Sequence, residues 1–332
     1  MASQPRIIKP IIILGAPRSG TTILQRCLAL HPDLWHLPGE SHGVLEGPFH
    51  PAQWGYESNR VAADDVDEGL AQQLRRRFYH LAINLNKVWA NPAPMLAGNT
   101  LFERVSNKLA ANAVGKLSQF KKPEVIRFLE KTPKNTLRIP MLTRLFPDAL
   151  YVWLKRNAAA NIDSLMAGWH AEDKIGPFSR RRYGQAGYPI ADQIELLDYR
   201  GKWWKFTLVP GWRNLKGKTV ADVATWQYYQ CNRYLLDDLP GVDSRKLFSV
   251  HYEDFVRTPT EVIRRIFAWA DLPPSRVAEE FARILPRVNA VSPAAPRSKN
   301  GLRYPDRVFE AIERLPAMGL LQRMMGYEAE TI

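Results

Sequence analysis

Residues 10–26, PIIILGAPRSGTTILQR, constrain the fold of this chain more than any other stretch. Four consecutive apolar residues, Ile11 to Leu14, are broken by Gly15, Pro17 and Gly20, and apolar positions at helical spacing resume at Ile23 and Leu24. A short β-branched run ended by Gly and Pro reads as a buried strand that turns into a helix. In such a turn the backbone N–H groups of Ser19, Gly20, Thr21 and Thr22 lie at the positive end of the helix dipole without intrahelical acceptors. That suits an anion such as phosphate or sulfate. A strand-to-helix turn with no ligand is the plainer alternative.

Against the nucleoside-triphosphate loop G-x-x-x-x-G-K-[ST], Gly15 and Gly20 fit, but Thr21 stands where the lysine belongs. That lysine reaches the β- and γ-phosphates, and the hydroxyl after it holds Mg²⁺. Here the strong cation is Arg18, inside the loop, which reads as a cradle for a shorter anion without a metal. Residues 17–22 resemble the 5′-phosphosulfate loop, P-R-[ST]-G-T-[ST], of the sulfotransferases that use 3′-phosphoadenosine 5′-phosphosulfate (PAPS). The resemblance implies an α/β fold with a mainly parallel central sheet and helices on both faces. It also implies PAPS as donor and adenosine 3′,5′-bisphosphate as product.

Further apolar runs continue the strand pattern at residues 34–37, 125–129, 151–154 and 246–250, each followed by polar residues. Ligands of open parallel sheets gather at those carboxyl ends. After the second run, Pro38-Gly39 presents Glu40, Ser41 and His42. An attacking hydroxyl must lose its proton, so Glu40 is the first candidate base and His42 the second, with a turn or capping role as the alternative for Glu40. After the third run comes Glu130-Lys131-Thr132-Pro133, similar to a segment of many sulfotransferases; Lys131 could offset charge on the leaving oxygen. Lys134 reads as a surface residue, and residues 135–146 as a helix that continues through Pro140.

Arg156 closes the fourth run and Ser164 follows eight residues later. The resemblance implies that this pair binds the 3′-phosphate of PAPS, a guanidinium giving a permanent bidentate contact and the hydroxyl a directed donor. The family usually has Arg-Asp-Pro here, where this chain has Arg156-Asn157-Ala158. The resemblance also implies that Trp226 and Tyr252 lie near the adenine and that a basic C-terminal loop, here Arg297 and Lys299, closes the 3′-phosphate site. For Trp226 and Tyr252 ordinary packing is the alternative.

Lys plus Arg number 46 against 33 acidic residues, a net charge of +13, which favours an anionic ligand. No zinc-finger spacing or RNP-type aromatic pattern points to nucleic acid. Cys27 and Cys231 are too few for a disulfide framework and read as buried thiols of a reducing, cytoplasmic compartment. No apolar run reaches membrane-spanning length.

One domain over residues 1–332 is expected. Residues 172–218, with Arg180-Arg181-Arg182, Trp203, Trp204 and Trp212, would form an inserted acceptor-binding lid whose aromatics either stack on a sugar or pack the lid shut. The expected activity is sulfuryl transfer from PAPS to a hydroxyl or amine of a small-molecule or carbohydrate acceptor. The rivals are a metal-dependent kinase or NTPase with a divergent loop and a non-catalytic nucleotide-binding module. The acceptor's identity and the oligomeric state have no signature in the sequence.

Overall fold

Arg6–Leu14 form β1, the central strand of a five-stranded sheet in the computed structural model, which describes residues 6–84, 122–171, 187–284 and 301–328. The other strands are β2 (Leu34–His36), β3 (Val125–Lys131), β4 (Leu150–Lys155) and β5 (Leu247–His251). Their order is β2-β3-β1-β4-β5 and every pairing is parallel. The five expected runs are these five strands. Pro10 has no N–H to give to the ladder, and β1 accommodates it with a register shift between Ile8 and Ile11. There Lys9 takes a positive φ of 38°, and its N–H donates to Asp148 Oδ2 at 2.6 Å.

Parallel strands need crossovers, and helices carry them over both faces of the sheet. In chain order these are α1 (Thr21–Leu28), α2 (His42–Leu45), α3 (Glu68–Leu81), α4 (Ile139–Leu145), α5 (Ala158–His170) and α6 (Val220–Asp238). They continue as α7 (Tyr252–Arg257), α8 (Pro259–Trp269), α9 (Arg276–Ile284), α10 (Pro305–Glu313) and α11 (Ala317–Met324). Side chains of a strand alternate between faces. Ile12 and Leu14 therefore enter a core with Phe78 of α3, Ile162 of α5, Tyr228 of α6 and Leu321 of α11. Ile11 and Ile13 enter the opposite one with Leu24 of α1, Ile263 of α8 and Phe281 of α9. Cys27 and Cys231 are buried free thiols.

Three expectations are corrected. Residues 135–146 are not one helix: a 3₁₀ turn over Pro133–Leu137 ends at Arg138, and α4 restarts with Pro140 in its first turn, where a missing N–H costs nothing. The spacing of Leu74, Phe78, Leu81 and Leu85 predicts a helix over residues 70–89, but it ends at Leu81, after which Ile83 bridges antiparallel to His36; residues 85–89 lie outside the described residues. Lys134 is buried rather than at the surface. Of residues 172–218, those from 187 on bury Tyr188, Trp204 and Trp212 in the larger core; residues 172–186, with the Arg180–182 triplet, lie outside the described residues. Among the described residues no helix is long and apolar enough to cross a membrane.

Candidate active site

The carboxyl ends of the strands lay out the site in a row: Glu40 after β2, Lys131 ending β3, residues 15–20 after β1, Arg156 after β4 and Tyr252 after β5. The chain leaves β1 toward β2 on one side and later fills β4 and β5 on the other, so the loop after β1 sits where the strand order reverses.

That loop is tight. A Cβ at Gly15 would come within 2.8 Å of the Leu154 carbonyl oxygen, and one at Gly20, whose φ is 97°, within 2.5 Å of the Tyr252 ring. Only glycine fits either place. Among the described residues, the N–H groups of Gly20, Thr21 and Thr22 have no acceptor and crown the start of α1. Ser19 departs from the expectation. Its N–H donates to the Ala16 carbonyl at 3.1 Å and its hydroxyl to the same oxygen, so the turn itself uses both groups.

Arg18, at φ 71°, sends its side chain to α5, where Nε donates to Ser164 Oγ at 3.2 Å. Arg156 Nη1 donates to the Arg18 carbonyl, and its guanidinium lies 4.6 Å from the centre of the Tyr252 ring. Arg18, Ser164, Arg156 and Tyr252 are thus linked by direct contacts. Burial, then Arg156, then Arg303 push the Arg18 guanidinium down to about 10, and burial likewise lowers Arg156. Like charges held together in a half-buried place favour an anion between them.

The first turns of α5 organise this cluster. Asn157 caps the helix by accepting from Ala160 N–H at 3.2 Å. Asn161, in the amide orientation that satisfies both groups, donates to the Pro17 carbonyl and accepts from Ser19 N–H, each at 3.2 Å. Asp163 Oδ1 accepts from the N–H groups of Arg303 and Tyr304 at 2.6 and 2.9 Å, which brings Arg303 toward Arg18.

Two strand positions away along the edge, Lys131 Nζ donates to Glu40 Oε1, and His42 Nε2 lies 2.9 Å from Glu40 Oε2. The three candidates for chemistry are therefore in direct contact. Burial pushes the Glu40 carboxyl up, but the Lys131 ammonium and the His42 hydrogen bond outweigh it and hold it well below the usual carboxylate range. The turn bearing Glu40 is latched to β3. Ser41 N–H donates to Thr132 Oγ1 at 2.8 Å, and Thr132 Oγ1 donates to the buried Glu130 carboxylate at 2.7 Å. Behind His42, Glu46 accepts from Lys134 Nζ at 3.3 Å, Arg138 Nη2 at 3.0 Å and the Tyr188 hydroxyl at 2.8 Å.

The Trp226 indole N–H donates to the Pro210 carbonyl at 2.9 Å and its ring stacks on Tyr229. Arg297 and Lys299 lie outside the described residues. Sequence reasoning missed Arg303, Asn161 and Asp163 in the cation cluster and Glu46 behind His42. Glu46, one helical turn after His42, was the one open to inspection, because groups at that spacing face each other.

A parallel α/β sheet thus carries an anion-suited loop at its reversal point and a carboxylate–ammonium pair beside it, an arrangement suited to moving an anionic group. Residues 10–197, more than half of the chain, match the Sulfotransferase family, and the chain belongs to that family. A putative protein-tyrosine sulfotransferase of Caenorhabditis briggsae is 22% identical over 262 residues, 79% of this chain and 65% of its own, so this chain spans less than two thirds of that relative's length. The sulfotransferase domain of the curacin biosynthetic pathway is similar at 15% identity and a TM-score of 0.45 over 98% of this chain and 99% of its own. A sulfotransferase from Alicyclobacillus acidocaldarius is similar at 14% and 0.45, over 99% and 98%.

Proposed function

We propose that the chain transfers the sulfuryl group of PAPS to a hydroxyl, or an amine, of a small-molecule or carbohydrate acceptor, leaving adenosine 3′,5′-bisphosphate. The contact of Arg156 with the Arg18 carbonyl, in the loop before α1, carries this reading, because it puts two guanidiniums and the free loop amides within reach of one small donor. Arg18 and the N–H groups of Gly20, Thr21 and Thr22 would hold the 5′-phosphosulfate. Arg156 and Ser164 would hold the 3′-phosphate, joined by Arg303 and by Arg297 and Lys299 of the C-terminal loop. Tyr252, stacked on Arg156, would border the nucleoside. Thr21 in place of the triphosphate-loop lysine leaves a donor of this length as the better fit, and no metal is required.

In the transfer, the acceptor oxygen forms a bond to sulfur as the bond from sulfur to the 5′-phosphate oxygen breaks. Glu40, ionised because Lys131 and His42 hold its carboxyl down, takes the acceptor proton. Lys131 then meets the charge that develops on the departing phosphate oxygen. The Caenorhabditis relative is named for a protein-tyrosine acceptor, which shares a hydroxyl with this class but is neither a small molecule nor a carbohydrate. One domain over residues 1–332 fits the reading, with residues 172–218 contributing to the acceptor side. Two buried free thiols fit a reducing cytoplasm. The test is transfer of labelled sulfate from PAPS to a panel of phenols, alcohols, sugars and amines. Label on an acceptor, lost in Glu40→Gln, supports the reading; an inert wild-type protein across the panel opposes it.

A further inference from the structure

The turn that carries Arg156 is held by side chains from three other elements. The Tyr228 hydroxyl of α6 donates to the Arg156 carbonyl at 2.7 Å, Glu253 Oε1 of α7 accepts from Asn157 N–H at 3.0 Å, and Gln322 Oε1 of α11 accepts from Ala158 N–H at 3.0 Å. Gln322 also donates through Nε2 to the Tyr228 hydroxyl at 2.7 Å, and the Tyr327 hydroxyl donates to Glu253 Oε2 at 2.8 Å. Gln322 and Tyr228 are both fully buried. A buried amide and a buried phenol are costly unless each polar atom is used; three of these bonds use them, two on one short piece of backbone and one between the two side chains. The Ala158 N–H opens α5 and has no acceptor within the helix. Gln322 supplies the partner that N–H needs.

We infer that Gln322, acting through Tyr228 and the Ala158 N–H, is a positioning residue that sets the aim of Arg156 and so the protein's preference for a nucleotide bearing a 3′-phosphate. The C-terminal helix α11 is then a strut of the nucleotide site, although nothing from it need touch the nucleotide. This role rests on the assignment of Arg156 to the donor's 3′-phosphate. A guanidinium makes two parallel contacts to a phosphate only in a narrow range of orientations, so a small loss of aim removes one contact and leaves the charge in place.

The test compares the dissociation constants of adenosine 3′,5′-bisphosphate and adenosine 5′-phosphate for the wild-type chain, Gln322→Leu and Tyr228→Phe, each first checked for a cooperative thermal transition. The expected result is a wild-type preference for the bisphosphate that falls by about tenfold in Gln322→Leu, with 5′-phosphate affinity changed less than about twofold. A variant that was merely looser would weaken both nucleotides alike. Tyr228→Phe, which deletes one oxygen, should show the same selective loss and serves if Gln322→Leu does not fold. A wild-type preference retained in a folded variant overturns the positioning role alone. A wild-type protein indifferent to the 3′-phosphate overturns the donor assignment and the role together.

Discussion

Arg18 Nε donates to Ser164 Oγ at 3.2 Å, tying the loop after β1 to the helix after β4 across the reversal point of the sheet. Residues that the sequence places in separate motifs share a hydrogen bond. Ser164 is only half-buried, so its hydroxyl matters more to a bound anion than to the fold. Ser164→Ala should weaken adenosine 3′,5′-bisphosphate by roughly 3- to 10-fold, about 1 kcal/mol, while the melting temperature barely moves. Calorimetric titration beside a thermal melt checks both halves.

Glu40 is tied to Lys131 on one oxygen and to His42 on the other, and each bond favours its charged form. Glu40→Gln should lower kcat by about 10²- to 10⁴-fold with little change in the KM for the donor. A depressed carboxyl is neutralised by solvent protons only once the pH has fallen to its folded pKa, so the acidic limb of wild-type kcat/KM should lie below the ordinary carboxylate range. In Lys131→Met, Glu40 loses its strongest partner and its pKa rises. The acidic limb of the residual activity should then move to higher pH, and an unmoved limb would assign the base elsewhere.

Lys134 is buried beside Glu46, Arg138 and Tyr188, and burial pushes its ammonium from 10.5 down to about 8. Between those two pH values the unfolded chain holds a proton that the folded chain does not. Stability contributed by this group therefore rises with pH across the window from about 8 to 10.5 and is flat below it. Denaturant titrations of wild type and Lys134→Met at several pH values should differ by that slope, with the variant flatter.

Gly20 combines a φ of 97° with a Tyr252 ring 2.5 Å from where a Cβ would stand. Gly20→Ala should cost about 1–3 kcal/mol of stability. Adding Tyr252→Ala should recover the steric part and leave the backbone part of about 1 kcal/mol, a non-additivity that a double-mutant cycle measures.

Much of this was legible before the structure because β1 from Pro10 on, β2 and β4 up to Leu154 are buried on both faces. A parallel strand so placed must be a continuous apolar run, and chemistry then gathers in the polar residues just after it, which is how Glu40 and Lys131 came to be singled out; Arg156 and Tyr252 were singled out by the family resemblance. Contacts made between elements carried no such mark. Lys134 read as a surface lysine because Glu46 and Tyr188, which neutralise and cover it, lie 88 and 54 residues away. The Ser19 amide looked free because its acceptor, the Ala16 carbonyl, depends on the exact path of the turn. Pro140 read as a residue inside a helix, whereas it begins one; the break at Arg138 comes from that side chain reaching the Asn59 carbonyl and Glu46.

The most direct measurement is calorimetry of adenosine 3′,5′-bisphosphate in the presence of EDTA against ATP with Mg²⁺, on wild type, Arg18→Ala and Arg156→Ala. The account predicts that the bisphosphate binds the wild-type chain one to one without metal, more tightly than ATP with Mg²⁺, and weakens by about tenfold or more in each variant. Preference for ATP with Mg²⁺, or bisphosphate binding that neither substitution disturbs, would contradict it.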